Sequence, residues 1–392
     1  MLLYGFWLYR WAFCHNLFKL CLINKLQDFG RNGHPIGRKG HPVWTHRPSC
    51  AAIFNDEGFC QTNLKVAFRF KVSLIVVNDI ERKFIMRLVT SVAVFLLWSV
   101  SVGLADVQAR VEALFAQDMA NIDLAQVKIE VDHIIDPSIS IDTQLAQIDQ
   151  MVAIIRTMLP ANADSWDKAE AVRKYIYDSG PWNDNRPFSY DLEDPLGLDV
   201  NNKLLADYIA DRRGNCITMP FLFIILGQRL GIDVRPSIAP LHVFVKFTDE
   251  AGTVTNLETT SGALPARDVH YRNQLPMTDE AVANGVFLAE LSQEETVAVI
   301  ATVLVEDLIR RERYIEAIAV ADTILAHYPN FAYLMVKKGT AAYYLLKRDF
   351  YSKYPTVAEI PEADRPYLAY LQTVNQSTFD TAEALGWRAL EQ

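Results

Sequence analysis

Cys216, His242 and Glu258 are the residues whose types and order could do chemistry together. Cys216 stands in Asp211-Arg212-Arg213-Gly214-Asn215-Cys216-Ile217-Thr218, directly before the apolar run Phe221-Leu222-Phe223-Ile224-Ile225-Leu226. A glycine followed by a long apolar segment predicts a buried helix opening at the cysteine. A helix N-terminus carries partial positive charge, which favours thiolate over thiol. Its unpaired N–H groups could also hold an oxyanion. His242 falls in a period-2 stretch, so a strand would aim its ring at the thiol as general base and acid. Glu258 falls in the following stretch and could orient the imidazole.

Each residue also has an ordinary structural reading. A free cysteine is often a small buried hydrophobe, a strand histidine often structural, and a strand glutamate often an edge charge. The joint order and spacing favour a thiol site. Hairpin geometry tests it, because opposed residues share a face of the sheet. A three-residue loop at 249–251 sets His242 opposite Glu258. A four-residue loop at 249–252 sets it opposite Thr259 and puts Glu258 out of phase. Gly252 after the turn suits the shorter loop, since glycine tolerates the left-handed conformation.

The surrounding pattern supplies the elements that must position these groups. Ile141 to Leu159 is amphipathic, with Leu145, Ile148, Val152, Ile155 and Leu159 spaced by three and four, and Pro160 ends it. Trp166 to Tyr177 predicts a second helix, stopped by Gly180-Pro181. Residues 181–203 form an acidic loop with Asp184, Asp191, Glu193, Asp194 and Asp199. It lacks the glycine and terminal glutamate of an EF-hand, so a solvated loop at the rim of a site is the better reading. Lys203 to Ala210 predicts a short helix. Leu241, Val243, Val245 and Phe247 alternate with His242, Phe244 and Lys246, which predicts a strand. Residues 249–252 turn, and Thr253 to Glu258 returns beside it. From Ser292 the pattern is helical again, and Ser292-Gln293-Glu294-Glu295 matches a capping box. Helices over 314–329 and 330–344, the second containing Gly339, have the aromatic, alanine and proline placement of a tetratricopeptide unit. A degenerate second unit could follow Arg365.

The N-terminal third reads differently. Residues 1–85 hold 12 Lys and Arg against 5 Asp and Glu, a net of +7, and four of the five cysteines. Met86-Arg87, the apolar stretch that follows, and Gly103-Leu104-Ala105 have the three parts of a secretory signal peptide. Two readings stand. Translation starts at Met86 and 1–85 is an upstream extension; or 1–85 is a cytoplasmic tail and 88–104 an uncleaved anchor in the inner membrane. The first is favoured, and it expects a periplasmic or secreted protein that begins at Asp106. Cys216 is then its one cysteine, so no disulfide framework exists. Residues 106–392 carry 42 acidic and 25 basic side chains, a net of −17. That argues against a nucleic-acid partner, which needs a basic face.

Four segments carry a resemblance to a known family. These are Arg213-Gly214-Asn215-Cys216-Ile217-Thr218-Met219-Pro220, Leu226 to Gly231, Pro240-Leu241-His242-Val243-Phe244-Val245, and Asn256-Leu257-Glu258-Thr259-Thr260-Ser261-Gly262. Together they resemble the transglutaminase-like superfamily, most closely the bacterial branch that joins such a domain to a tetratricopeptide tail. The resemblance spans residues 140–345. It implies an α+β fold with a papain-like core, a nucleophile helix packed on an antiparallel sheet, followed by an all-α helical region. On this reading 106–290 is the thiol domain and 291–392 the helical region. It further implies Cys216 as nucleophile, His242 as base and Glu258 in the acid position, where the family commonly has aspartate. The expected function is cysteine hydrolysis or acyl transfer at an amide bond of a peptide or protein. No metal or organic cofactor is implied. The other reading is an envelope scaffold that binds a protein partner through its helical tail.

Overall fold

A computed structural model describes residues 106–194 and 197–389. The expectations for the first 105 residues lie outside the described residues. No helix among the described residues is long and apolar enough to cross a membrane.

The described chain is mixed helix and antiparallel sheet. After a helical stretch at 106–115 come α1 (Leu124–Ile135), α2 (Ile141–Thr157) and α3 (Ser165–Tyr177). The sequence explains their starts. Asp123, Ser140 and Asp164 each accept backbone N–H groups of the first turn, a cap that holds otherwise unpaired donors. Next are α4 (Leu205–Asp211) and α5 (Thr218–Arg229), then the strands β1 (Asp233–Ala239), β2 (His242–Thr248), β3 (Val254–Glu258) and β4 (Leu264–Ala266). The strands pair antiparallel in sequence order.

Helix α5 packs on β1 and β2 and forms the centre of the core. Phe221 through Leu226 are fully buried, and each such side chain contributes about 1.5–3 kcal/mol when removed from water. Gly227 lets the helix approach β1 closely, since a Cβ there would lie 2.6 Å from Val234 Cγ2. The helix starts at Thr218, two residues later than the apolar run suggested. Cys216 and Ile217 form the turn before it. The cause is Asn215, whose Oδ1 accepts the N–H of Ile217 at 2.9 Å and of Thr218 at 3.3 Å.

The strand β1 is unannounced by the alternation that marks β2. It joins β2 through Pro240-Leu241, with Ala239 opposite His242. Leu241 has φ of 56°, a left-handed conformation rare for a leucine.

Two short helices follow the sheet, α6 (Asp268–Gln274) and α7 (Asp279–Ala283). The helical region then comprises α8 (Gln293–Arg310), α9 (Tyr314–His327), α10 (Ala332–Leu346) and α11 (Arg365–Ala384). Ser292 and Glu295 form the capping box in full. Helix α8 is buried along most of its length, because it packs on α1 on one side and α9 on the other. Gly339 of α10 faces α11, where a Cβ would lie 2.6 Å from Thr378 Oγ1.

Candidate active site

The turn before α5 sets the thiol. A side chain at Gly214 would lie 2.5 Å from the Tyr208 ring and 2.7 Å from Thr218 Oγ1, so only glycine fits. Asn215 is fully buried. Besides capping Ile217 and Thr218, it donates through Nδ2 to the Asn202 carbonyl at 2.7 Å. The helix N–H groups expected to be open are therefore partly occupied. The Cys216 N–H has no partner among the described residues. The turn is tied to the acidic loop as well. Tyr190 pairs with Gly214 in a short parallel bridge, and Arg213 holds Asp191 at 2.7 Å and Glu193 at 2.9 Å. Asp194 and Asp199 accept N–H groups within the loop.

Cys216, His242 and Glu258 come together. Cys216 is buried, and its Sγ donates to the Leu241 carbonyl 3.6 Å away. The left-handed Leu241 thus turns its carbonyl toward the thiol and hands the chain directly to His242. His242 Nε2 lies 2.8 Å from Glu258 Oε2. With Nε2 engaged, Nδ1 is the nitrogen left to face the thiol. The other carboxylate oxygen, Oε1, accepts the Thr260 N–H at 3.0 Å and its hydroxyl at 2.5 Å. Glu258 also caps the short turn Thr259–Ser261.

The register that achieves this differs from the expected one. Thr248 pairs with Val254, so the loop is 249–253, five residues. Asp249 accepts the N–H of Ala251 and of Thr253 through its side chain and stabilises the longer turn. Gly252 does take the left-handed conformation, with φ of 78°. Five is odd, like three, so Glu258 keeps the face of His242. It meets the ring diagonally, beside Phe244, rather than from directly opposite.

Burial opposes charge on His242, but the Glu258 carboxylate and the neighbouring Cys216 outweigh it and raise the imidazolium pKa to about 10. Burial likewise opposes charge on Glu258, and His242 and Thr260 together hold its carboxyl below the ordinary value. At neutral pH the two form an imidazolium–carboxylate pair.

Tyr271 of α6 was not visible as a site residue in the sequence. It is buried, stacks on Phe244 at 4.1 Å between ring centroids and lies 6.0 Å from the His242 ring. Burial, and then the charge of Glu258, keep its phenol protonated. Nothing in the local pattern of residues 268–274 marks it, because the contact depends on α6 folding back over the sheet. Among the described residues no group of three or more His, Cys, Asp or Glu could hold a metal ion.

Residues 142–301 match the family model described as Transglutaminase-like superfamily. The match takes in α2 through the four strands and ends inside α8. Searches of curated proteins and of solved structures returned no match to the chain.

Proposed function

With residues 142–301 a domain of the transglutaminase-like superfamily, we propose that the protein is an exported thiol enzyme that cleaves or transfers amide-linked acyl groups. Cys216 Sγ attacks the carbonyl carbon, and the Cys216 N–H faces the oxyanion that forms. The tetrahedral species collapses to a thioester as the C–N bond breaks. His242 gives its proton to the leaving amine. Water or a second amine then attacks the thioester, losing a proton to His242, and releases the thiol. Glu258 stays ionised and orients the ring. The substrate is a peptide or protein; no nucleic acid and no organic cofactor take part, and a membrane is involved only if 88–104 is uncleaved. The observation that carries this reading is the 2.8 Å contact of Glu258 with a histidine that borders the one described cysteine.

Alkylation tests it. An ordinary thiol of pKa about 8.5 is about 1 % ionised at pH 6.5, so an imidazolium-held thiolate reacts up to about 100-fold faster. Iodoacetamide should modify Cys216 quickly at pH 6.5, and His242→Ala should slow it toward the ordinary rate. Equal, slow rates in both proteins sink the enzyme reading. Export is tested by N-terminal sequencing of the purified protein, with Asp106 as the expected first residue.

A second reading has its own support. Tyr351, Val357, Tyr367 and Tyr370 of the helical region are exposed, and aromatic groups in that position suit a protein partner. A tetratricopeptide-like scaffold role for the tail would leave Cys216 unreactive.

A further inference from the structure

The helical region sends side chains to the neighbourhood of the thiol. Asn215, next to Cys216, and Lys203 border the same point: a Cβ on Gly197 would lie 2.7 Å from Asn215 Nδ2 and 2.9 Å from Lys203 Cε. Lys203 in turn pairs with Glu306 of α8. Tyr333 of α10 donates to the other oxygen of Glu306. Lys337, one helical turn on, lies 3.3 Å from that oxygen and 4.9 Å from the Tyr333 ring centroid. Through Glu306 and Lys203, Tyr333 and Lys337 are thus joined to the segment that holds Asn215, the residue before Cys216.

The charges in this cluster do not cancel. Burial opposes ionisation of Glu306, but Lys203 and Lys337 outweigh it and hold the carboxyl at about 2. Lys203 and Lys337 therefore set two ammonium groups against one carboxylate. The nearby Lys128 does not alter the balance, because it pairs with Asp132 while donating to the Lys203 carbonyl at 3.0 Å. Joining two regions of a fold needs one lysine for one glutamate. The surplus cation is the one solvent reaches: the Lys337 side chain is 30 % exposed, against 11 % for Lys203 and 8 % for Glu306. An ammonium has three N–H donors, and the ion pair with Glu306 at 3.3 Å leaves donors of Lys337 for a further acceptor.

From this juxtaposition we propose that Lys337, backed by Tyr333 and fixed by Glu306 and Lys203, is a subsite for a carboxylate on the substrate that Cys216 attacks. The proposal rests on the thiol-enzyme reading and adds a substrate class to it, an acyl donor that carries a free carboxylate such as an acidic peptide. It also gives the helical region a part in specificity.

Maleimides test it without knowledge of the substrate. The Cys216 sulfur adds across the maleimide double bond, and the carbanion takes a proton from His242 or water. The neutral probe is N-ethylmaleimide; the anionic probes are 3-maleimidopropionate and 6-maleimidohexanoate, whose arms reach different distances. Rates at Cys216 are followed in the full chain by peptide mass mapping. At low ionic strength we expect one of the anionic probes to react about 3- to 10-fold faster than the neutral one, the size of one partly screened charge contact. Lys337→Gln should abolish that excess without changing the N-ethylmaleimide rate, Lys337→Arg should keep it, and added salt should reduce it. A ratio of anionic to neutral rates that is the same in the wild type and in Lys337→Gln overturns the proposal. Failure of the thiol-enzyme reading looks different: N-ethylmaleimide then reacts at the rate of an ordinary thiol, and His242→Ala leaves that rate unchanged.

Discussion

Two buried carboxylates organise this molecule, and their partners make them different. Glu258 faces an imidazole at 2.8 Å. Glu306 faces two ammonium groups and a phenol. Both are ion-paired below the surface, where a pair is held by mutual attraction against the cost of desolvation. The first partner can give up and regain a proton during a reaction, while a lysine paired with a carboxylate cannot do so near neutral pH. The first pair also borders a thiol through an open ring nitrogen. A buried charge pair is thus a chemical device when one member titrates and meets a nucleophile; otherwise it holds structure and sets local potential.

The largest expected effect separates the two centres on stability. Glu306→Ala leaves Lys203 buried without its counter-charge, and such a break costs about 3–5 kcal/mol. Urea unfolding should show this loss, while iodoacetamide still modifies Cys216 within about twofold of the wild-type rate in the folded fraction. A loss below about 1 kcal/mol would mean that Glu306 is not a structural anchor, and the contrast would fail.

The pH dependence separates them by sign. The folded value of Glu306 is about 2, below its ordinary 4.5. Its stabilisation is complete above pH 4.5 and is lost as pH falls toward 2. The folded value of His242 is about 10, above its ordinary 6.5. Its stabilisation is complete below pH 6.5 and is lost as pH rises through 10. Glu258, also held below its ordinary value, adds to the acid limb. Urea midpoints measured from pH 3 to pH 10 should fall at both ends. His242→Gln should flatten the alkaline limb and take only the Glu258 share from the acid one; Glu306→Gln should weaken the acid limb and spare the alkaline one. An alkaline limb that survives His242→Gln would place its origin elsewhere.

A smaller effect is expected on reactivity from Glu258→Gln. The amide retains shape and one hydrogen bond to the ring but removes the charge that favours the imidazolium. We expect alkylation of Cys216 at pH 6.5 to slow about tenfold, equivalent to 1.4 kcal/mol, and the rate to rise with pH like that of an ordinary thiol. An unchanged pH profile would reduce Glu258 to a turn cap for Thr260.

The two centres also differ in how far the sequence revealed them. Cys216, His242 and Glu258 lie within 43 positions of one another, and local rules reach most of that span. Period-2 alternation placed the strand of His242, and loop parity placed Glu258 on the correct face. The same rules missed β1, where Pro236 interrupts the alternation, and the cap at Asn215, which delays α5 by two residues. Glu306 and Lys203 are separated by 103 residues. Nothing near Glu306 in sequence distinguishes it from an exposed helix charge, and its partners, Lys203 on one side and Tyr333 and Lys337 of α10 on the other, meet it only through tertiary packing. Tyr271 was missed for the same reason.

The smallest prediction tests why an error in loop length did no harm to the placement of Glu258. The five-residue turn keeps parity, and two elements hold it: Asp249, which accepts from Ala251 and Thr253, and Gly252 at φ of 78°. A residue with a Cβ in that conformation costs about 1–2 kcal/mol, and open space around Gly252 means no clash adds to it. Gly252→Ala should therefore destabilise the protein by about 1 kcal/mol and leave the Cys216 alkylation rate unchanged, since the Asp249 bonds preserve the register. Deleting Ala251 instead shortens the connection by one residue; if the turn keeps five residues, Thr248 pairs with Thr255, which turns Glu258 to the opposite face and should slow alkylation as much as Glu258→Gln does. If Gly252→Ala slows the thiol while the deletion does not, parity is not what brings Glu258 to His242.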